Sequence, residues 1–166
     1  MAVFDEFVEA NRRYAASFDK GDLPIPPARR VAVVTCMDAR LDPEEFLGLE
    51  VGDAHVIRNA GGRVSDDAIR SLVISQRLLG TNEVVIVQHT GCGMLTFSNE
   101  DLAGKIRADL GADASETDFL PFTDLEENIR RDVAAVRGSE LVPDDVTVSG
   151  AVYDVGSGEL REVVRS

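Results

Sequence analysis

Apolar residues recur at helical spacing in three segments of the chain, and capping residues predict a fourth helix. The first apolar stripe predicts an amphipathic N-terminal helix that ends near Gly21, and its members are Phe4, Phe7, Val8, Tyr14, Ala15 and Phe18. Capping residues bound the other three helices, which are predicted from Ser65 to Gly80, from Ser98 to about Gly111, and onward from a capping box at Thr123–Glu126. Residues 112–122 are predicted to form a loop.

Short runs of β-branched and apolar residues lie between the predicted helices. They indicate strands at 31–35, within 54–62, at 84–87 and from 145 onward, where a Gly156-Ser157-Gly158 turn precedes a returning edge strand. After the first strand, Asp42 and Pro43 predict the N-cap and first position of a short helix. Strands that alternate with helices predict an α/β fold with a mostly parallel central sheet, flanking helices, one antiparallel edge strand and an N-terminal helical arm.

The length and charge of the chain narrow the possible functions. A chain of 166 residues predicts a single domain, 1–166, divided into an N-terminal arm at 1–29 and an α/β core at 30–166. The net charge of −13 disfavours nucleic acids and anionic membrane surfaces as partners, because both would repel the protein. The chain shows no signal peptide and no bilayer-spanning stretch, and it has two cysteines, so we expect a cytoplasmic protein whose thiols are reduced.

Three side chains that bind metals lie at the ends of two predicted strands. Cys36 ends the first strand, while His89 and Cys92 follow the third. If the switch point of the sheet lies between these strands, all three residues meet there. Two thiolates and an imidazole suit zinc, and three protein ligands leave a fourth position for water or substrate, as in catalytic zinc sites.

A carboxylate and a cation lie near the first of these candidate ligands. If residues 36–40 are extended, the alternation of side chains places Cys36, Asp38 and Arg40 on one face. The alternative role for the thiols is a redox pair, which would leave the other three candidate residues unused. His55 lies inside the second strand without a nearby cysteine, so we predict a hydrogen-bonded structural histidine there.

These motifs, taken together, resemble the β-class carbonic anhydrases, in particular their compact bacterial branch. The similar segments are TCMDARLDP at 35–43, IRNAGG at 57–62 and HTGCGM at 89–94, in the family's own order. The resemblance implies Zn²⁺ on Cys36, His89 and Cys92, with an Asp38–Arg40 pair beside the fourth ligand. It further implies that Asn59, Ala60 and Gly61 line the substrate pocket.

The resemblance also implies a reaction and an assembly. The reaction is the reversible hydration of carbon dioxide to bicarbonate and a proton, by attack of zinc-bound hydroxide whose hydrogen bonds to Asp38. The assembly is a homodimer or larger homo-oligomer in which the arm covers a neighbouring chain. The sequence contains no tryptophan, so we predict that it lacks the regulatory bicarbonate pocket that some members build partly with tryptophan.

Two other functions stay open at the level of sequence. Hydrolysis of carbonyl sulfide or carbon disulfide uses the same zinc constellation in relatives of the family, and the motifs do not separate it from carbon dioxide hydration. The other candidate is a non-catalytic zinc or thiol module that binds or senses a partner. Asp38 and Arg40 argue against that module, because a structural zinc site needs neither residue.

Overall fold

The structure, a computed structural model, describes residues 2–166, which form five α-helices and a five-stranded sheet. The helices are α1 (Val3–Ala16), α2 (Pro43–Phe46), α3 (Asp66–Leu79), α4 (Asn99–Leu110) and α5 (Leu125–Arg137). The strands are β1 (Val31–Cys36), β2 (Ala54–Asn59), β3 (Glu83–His89), β4 (Thr147–Tyr153) and β5 (Leu160–Arg165). Short 3₁₀ turns at Ala60–Gly62 and Gly93–Leu95 follow β2 and β3, respectively.

The strand order is β2-β1-β3-β4-β5, and it confirms the predicted α/β architecture. The first four strands are parallel, and β5 pairs antiparallel with β4 at one edge. The chain runs from β1 outward to β2 and then returns to place β3 on the other side of β1. The switch point therefore lies between β1 and β3, where ligand sites of open α/β sheets are found.

The main core cluster packs β1, β3 and β4 against α3 and α5. The fully buried core residues come from the strands and from the apolar stripes of α3 and α5, and they include Val34, Leu72, Val84, Ile86, Ile129, Val136 and Val148. Gly150 in β4 lets α5 approach the sheet, because a Cβ atom there would meet the side chains of Ile129 and Val133. This close packing holds the ends of β1 and β3 on a rigid support.

Most of the predicted helix boundaries are confirmed. Ser65 caps α3 and Gly80 ends it at φ 75°, while Ser98 and Gly111 bound α4. Asp42 and Pro43 begin α2 as predicted. The start of α5 is a correction: its N-cap is Asp124, not Thr123, because the Asp124 carboxylate accepts a hydrogen bond from the Glu127 backbone N–H at 2.9 Å.

The N-terminal helix differs from the others in its packing. α1 ends at Ala16, earlier than predicted, and none of its residues from Val3 to Ala16 is buried. Its aromatic stripe is largely exposed, with 72% of Phe4 and 64% of Phe7 accessible. The stripe is therefore not part of the core of its own chain. Within residues 2–166, no helix combines the length and apolar character that crossing a bilayer requires.

Candidate metal centre

Cys36, His89 and Cys92 meet at the carboxyl end of the sheet. Their ligand atoms lie within 4.8 Å of one another, and all three side chains are buried. Cys36 is the last residue of β1, and His89 is the last residue of β3 rather than the first beyond it. Cys92 lies at the start of the next 3₁₀ turn, so a short loop returns its sulfur to the strand ends. The neighbouring parallel strands bring the three candidate ligands together.

The environment of His89 fits a metal. Its Nδ1 lies 2.9 Å from the Thr90 carbonyl oxygen, which can only accept, so Nδ1 carries the proton and donates it. The other ring nitrogen, Nε2, is buried and has no hydrogen-bond partner among residues 2–166. A buried lone pair facing two sulfur atoms is costly without a ligand, and a backbone carbonyl on the far nitrogen is the usual support of a metal-bound histidine. The residues present therefore fit zinc.

The two buried thiols shift each other's pKa in opposite directions. A hydrogen bond from Cys92 lowers the pKa of Cys36 against the effect of burial, and His89 and the backbone amides of Asp38 and Gly61 assist. The same hydrogen bond, together with burial, raises the pKa of Cys92. One thiolate thus forms readily and the other thiol has to lose its proton when a metal binds. Both cysteines are free thiols in the described chain, so they form no disulfide.

Asp38 and Arg40 form a bidentate ion pair beside the cluster. Arg40 Nε donates to Asp38 Oδ1 at 2.9 Å, and Arg40 Nη2 donates to Oδ2 at 2.7 Å. Asp38 Oδ2 also lies 3.7 Å from His89 Nε2, so the carboxylate borders the space that the ligand atoms face. The Arg40 side chain and backbone amide hold the pKa of Asp38 well below its usual range, and Asp38 raises the pKa of Arg40.

The backbone that presents this pair differs from the prediction. Residues 36–40 are not one extended segment, because β1 ends at Cys36 and a turn includes Arg40. The Arg40 backbone N–H donates to Asp38 Oδ1 at 2.9 Å, which is a local turn that an aspartate favours. Arg40 Nη2 also donates to the Gly91 carbonyl at 3.0 Å and thereby joins the loops that follow β1 and β3.

Arg58 is a residue of the site that the sequence analysis missed. Its Nε donates to the Cys36 carbonyl at 3.0 Å, and its Nη2 donates to the Asp38 carbonyl at 2.8 Å. These two bonds hold the backbone on both sides of Met37. Arg58 lies one residue before Asn59, which ends β2 and pairs with Cys36. This position is the signal that could have revealed its role.

The turn that follows β2 lies directly against Cys36. Asn59 closes this turn, because its amide donates to the Arg63 carbonyl at 2.8 Å and accepts from the Arg63 N–H at 2.7 Å. Ala60 is exposed, and Gly61 lies against Met94 and Phe122 at φ 79°. A pocket wall at Asn59, Ala60 and Gly61 stays a prediction. Met94 packs in a buried cluster with Cys36, Cys92 and Phe122, so an aromatic ring lies near the candidate ligands.

His55 lies outside the cluster, as predicted. Its Nδ1 is 2.7 Å from the Ser75 hydroxyl, which is itself 2.7 Å from the Thr81 hydroxyl. These contacts join β2 to α3 and to the segment before β3. His55 is therefore a hydrogen-bonded structural residue.

Comparison with known proteins agrees with this geometry. A family model described as carbonic anhydrase matches residues 31–160. Beta-carbonic anhydrase 1 of Mycobacterium tuberculosis is 44% identical over 163 residues, which cover 98% of this chain and 99% of that protein. The crystal structure of a carbonic anhydrase from Streptococcus mutans is similar at a TM-score of 0.96, with 52% identity and 99% of each chain covered.

A second kind of relative is named for a different activity. The carbon disulfide hydrolase of Saccharolobus solfataricus is 35% identical over 182 residues, which cover 95% of this chain and 87% of that protein. Its identity is lower than that of the two carbonic anhydrases. The family model spans all three candidate ligands, and the similarity to the carbonic anhydrases extends over nearly the whole chain. The chain therefore belongs to the β-carbonic anhydrase family.

Proposed function

We propose that this protein catalyses the reversible hydration of carbon dioxide to bicarbonate and a proton, as a zinc enzyme. The observation that carries the proposal is the buried Cys36–His89–Cys92 cluster with an ionised carboxylate, Asp38, at its border. The three residues would hold zinc, and zinc, when bound, acidifies water and so supplies a nucleophile near neutral pH.

The remaining chemistry belongs to Asp38 and Arg40. Asp38 stays ionised because Arg40 donates two side-chain hydrogen bonds to its two oxygens. A carboxylate accepts about four hydrogen bonds, so Asp38 keeps lone pairs with which to accept from the nucleophile and aim it at the carbon. Arg40 fixes that orientation, since its own guanidinium is also tied to Gly91. Asp38 is thus the proposed orienting group, and Arg40 positions it.

Carbon disulfide or carbonyl sulfide hydrolysis is the second candidate activity. The same three ligands would support this hydrolysis, and the carbon disulfide hydrolase of S. solfataricus is 35% identical to this chain. Carbon dioxide hydration is favoured because the M. tuberculosis carbonic anhydrase is 44% identical over almost the same part of the chain. A non-catalytic zinc module is disfavoured, because it gives no role to the Asp38–Arg40 pair.

The decisive experiment is stopped-flow carbon dioxide hydration on protein of known zinc content, run beside hydrogen sulfide release from carbonyl sulfide and carbon disulfide. We expect about one zinc per chain and hydration that depends on it. Sulfide release without hydration would select the second candidate. Zinc without either activity would select the non-catalytic module.

Ligand variants test the metal assignment directly. We expect lower zinc content and no hydration activity in each of Cys36→Ser, His89→Ala and Cys92→Ser. A catalytic zinc site uses three protein donors, and each variant keeps only two of them. His55→Ala is the matched control, since it removes a histidine outside the cluster, and it should keep both zinc and activity. Full zinc occupancy in Cys92→Ser would reject this ligand set.

The assembly and location proposed for the protein follow from α1 and from the thiols. The exposed aromatic stripe of α1 supports a homodimer or larger assembly in which the arm, 1–29, packs on the core, 30–166, of a second copy. Gly21 and three prolines separate this helix from β1 and favour an arm that extends away from its own core. Two free thiols in the site support a reducing location such as the cytoplasm.

A further inference from the structure

A buried ion pair lies behind the metal centre. Arg63 is 6% exposed and Asp132 is 2% exposed, and neither residue belongs to the cluster described above. Arg63 Nε donates to Asp132 Oδ2 at 3.0 Å, and Arg63 Nη2 donates to Asp132 Oδ1 at 3.2 Å. Taking two charges out of water costs several kcal/mol for each ion in proteins, and a pair of apolar residues often serves stability equally well. Fold stability alone therefore does not account for this pair.

The contacts of Arg63 lead to Cys36. Its backbone N–H and carbonyl close the Asn59–Arg63 turn through the Asn59 side chain. Within this turn, Gly62 lies so close to β1 that an added Cβ atom would be 2.9 Å from the Cys36 nitrogen. A displacement of Arg63 would therefore move the turn that lies against the Cys36 backbone.

The contacts of Asp132 lead to His89. Asp132 Oδ2 accepts a second bond from Gln88 Nε2 at 2.9 Å, and Gln88 directly precedes His89 in β3. Gln88 Oε1 in turn accepts from Asn128 Nδ2 at 2.8 Å, so α5 holds this side chain at both of its polar atoms. The orientation of the strand end that presents His89 is thereby tied to α5.

A third branch leads toward Cys92. Arg63 Nη1 donates to the carbonyl of Leu120, a non-glycine residue at φ 59°, a backbone conformation that costs about 1–2 kcal/mol. The guanidinium carbon lies 5.7 Å from the centre of the Phe122 ring. The Phe122 N–H donates to the Met94 carbonyl at 3.2 Å, in the 3₁₀ turn that follows Cys92. The ion pair thus has a path of contacts to each of the three ligands.

We propose that Arg63 and Asp132 are positioning residues of the metal centre, which hold the three ligand-bearing segments in the arrangement that retains zinc. The proposal rests on the proposed function in so far as it assumes a zinc site at Cys36, His89 and Cys92. Outer groups that orient metal ligands change metal affinity by about 10–100-fold when they are removed. The pair acts through other residues and touches no ligand atom itself.

The test is the rate at which zinc leaves the fully loaded protein. The variant R63M/D132L replaces the ion pair with apolar side chains, and it also leaves Gln88 Nε2 and the Leu120 carbonyl without their buried partners, so we expect a lower thermal midpoint as well. Zinc release to a chromophoric chelator should be at least about tenfold faster than the parent's, beyond what the loss of stability explains. In Co²⁺-substituted protein, the sulfur-to-cobalt absorption bands should shift. Release at the parent's rate with an unchanged cobalt spectrum would overturn the proposal.

Ser75→Ala is the matched control for simple loss of stability. Ser75 is buried and hydrogen-bonded to His55 and Thr81, and these contacts do not include the metal centre. The variants are compared at denaturant concentrations that give them equal residual stability. Faster release from the ion-pair variant supports the proposal, and equal rates reject it.

A conservative variant covers the case in which the double variant does not fold. Arg63→Lys keeps the charge but cannot reproduce the planar fork that contacts both Asp132 oxygens. It should also release zinc faster than the parent, and release at the parent's rate would again overturn the proposal. A parent protein that binds no zinc would instead reject the proposed function.

Discussion

Gly62 is the residue at which the turn after β2 comes closest to β1. It has a φ of 62°, and a Cβ atom there would lie 2.9 Å from the Cys36 nitrogen and 2.9 Å from the Thr35 carbonyl carbon. These are backbone atoms of a buried central strand, and they cannot move aside easily. Gly80 provides a comparison, since its φ is 75° and nothing in the described chain lies within 4 Å of its Cβ position.

We therefore expect Gly62→Ala and Gly80→Ala to differ. Gly80→Ala carries only the cost of the left-handed conformation, about 1–2 kcal/mol in the free energy of unfolding. Gly62→Ala adds a clash with β1, so it should destabilise the protein further and lower zinc occupancy. Denaturant unfolding and metal analysis measure the two effects. Equal losses of stability in the two variants, both with full zinc, would contradict this account.

The pH dependence of activity should not arise from protonation of Asp38. Hydrogen bonds from the Arg40 side chain and backbone hold the pKa of Asp38 below its usual range. Because its pKa is lower in the folded state, the ionised carboxylate stabilises the folded protein at pH values above about 3.9, the pKa of an aspartate in the unfolded state. This contribution to stability is lost only as the pH falls through the lowered pKa of the folded state. Asp38 is thus ionised throughout neutral and mildly acidic solution.

The metal charge predicts where activity changes. Zn²⁺ with two thiolates and a neutral histidine is formally neutral, so it acidifies water less than a site with three neutral histidines. We expect the hydration rate to rise between about pH 6 and pH 9. The midpoint of this rise should lie above about 7, the pKa of zinc-bound water at a three-histidine site. Asp38→Asn should lower the rate about 10²-fold at every pH, while the rise with pH persists because it belongs to the metal-bound water. A flat parent profile, or loss of the rise in Asp38→Asn, would contradict this prediction.

Among the elements, α5 is a helix whose first turn is stabilised by a side-chain cap. The Asp124 carboxylate accepts from the Glu127 backbone N–H at 2.9 Å, whereas Thr123 lies one residue outside the helix. The same helix carries Asn128 and Asp132, which hold Gln88 of β3. The cap therefore supports the helix that contacts the strand of His89.

Asp124→Ala and Thr123→Ala separate the two candidate caps. Loss of the Asp124 cap should lower the free energy of unfolding by about 1 kcal/mol, because it leaves a backbone N–H of the first turn without its side-chain partner. Thr123→Ala should change it by less than about 0.5 kcal/mol. Urea unfolding of both variants is the measurement. A larger loss in Thr123→Ala would restore the capping box that the sequence first suggested.

At the scale of the whole molecule, the exposed stripe of α1 is the main feature that the single chain leaves unexplained. Phe4 and Phe7 are more than half exposed, and burying such a ring stabilises an interface by about 1.5–3 kcal/mol.

We expect F4S/F7S to dissociate the proposed dimer at concentrations where the parent stays associated. R12S/R13S changes two exposed residues of the same helix and should have little effect. Sedimentation velocity over a dilution series measures both, and a fully active parent monomer would reject the interface.

The sequence by itself determined the elements, the candidate ligands and the order of the motifs. Periodicity and capping act within a few residues, so α3 and α4 begin and end where Ser65, Gly80, Ser98 and Gly111 indicate. Cysteine and histidine are the residue types that bind zinc, and the candidate ligands lie at strand ends, where open α/β sheets have their sites. Alternation failed after Cys36, because the Asp38 side chain forms a local turn that ends the extended backbone.

Only the tertiary structure decided which distant residues support the site. Arg58 reaches Cys36 and Asp38 because β2 pairs with β1, and Arg63 meets Asp132 across 69 residues of sequence. A buried arginine and a buried aspartate have the same residue types as solvated surface charges, which are far more common. Their contacts depend on packing between elements that no local pattern encodes. The candidate ligands could therefore be named from the sequence, whereas Arg58, Arg63 and Asp132 could not.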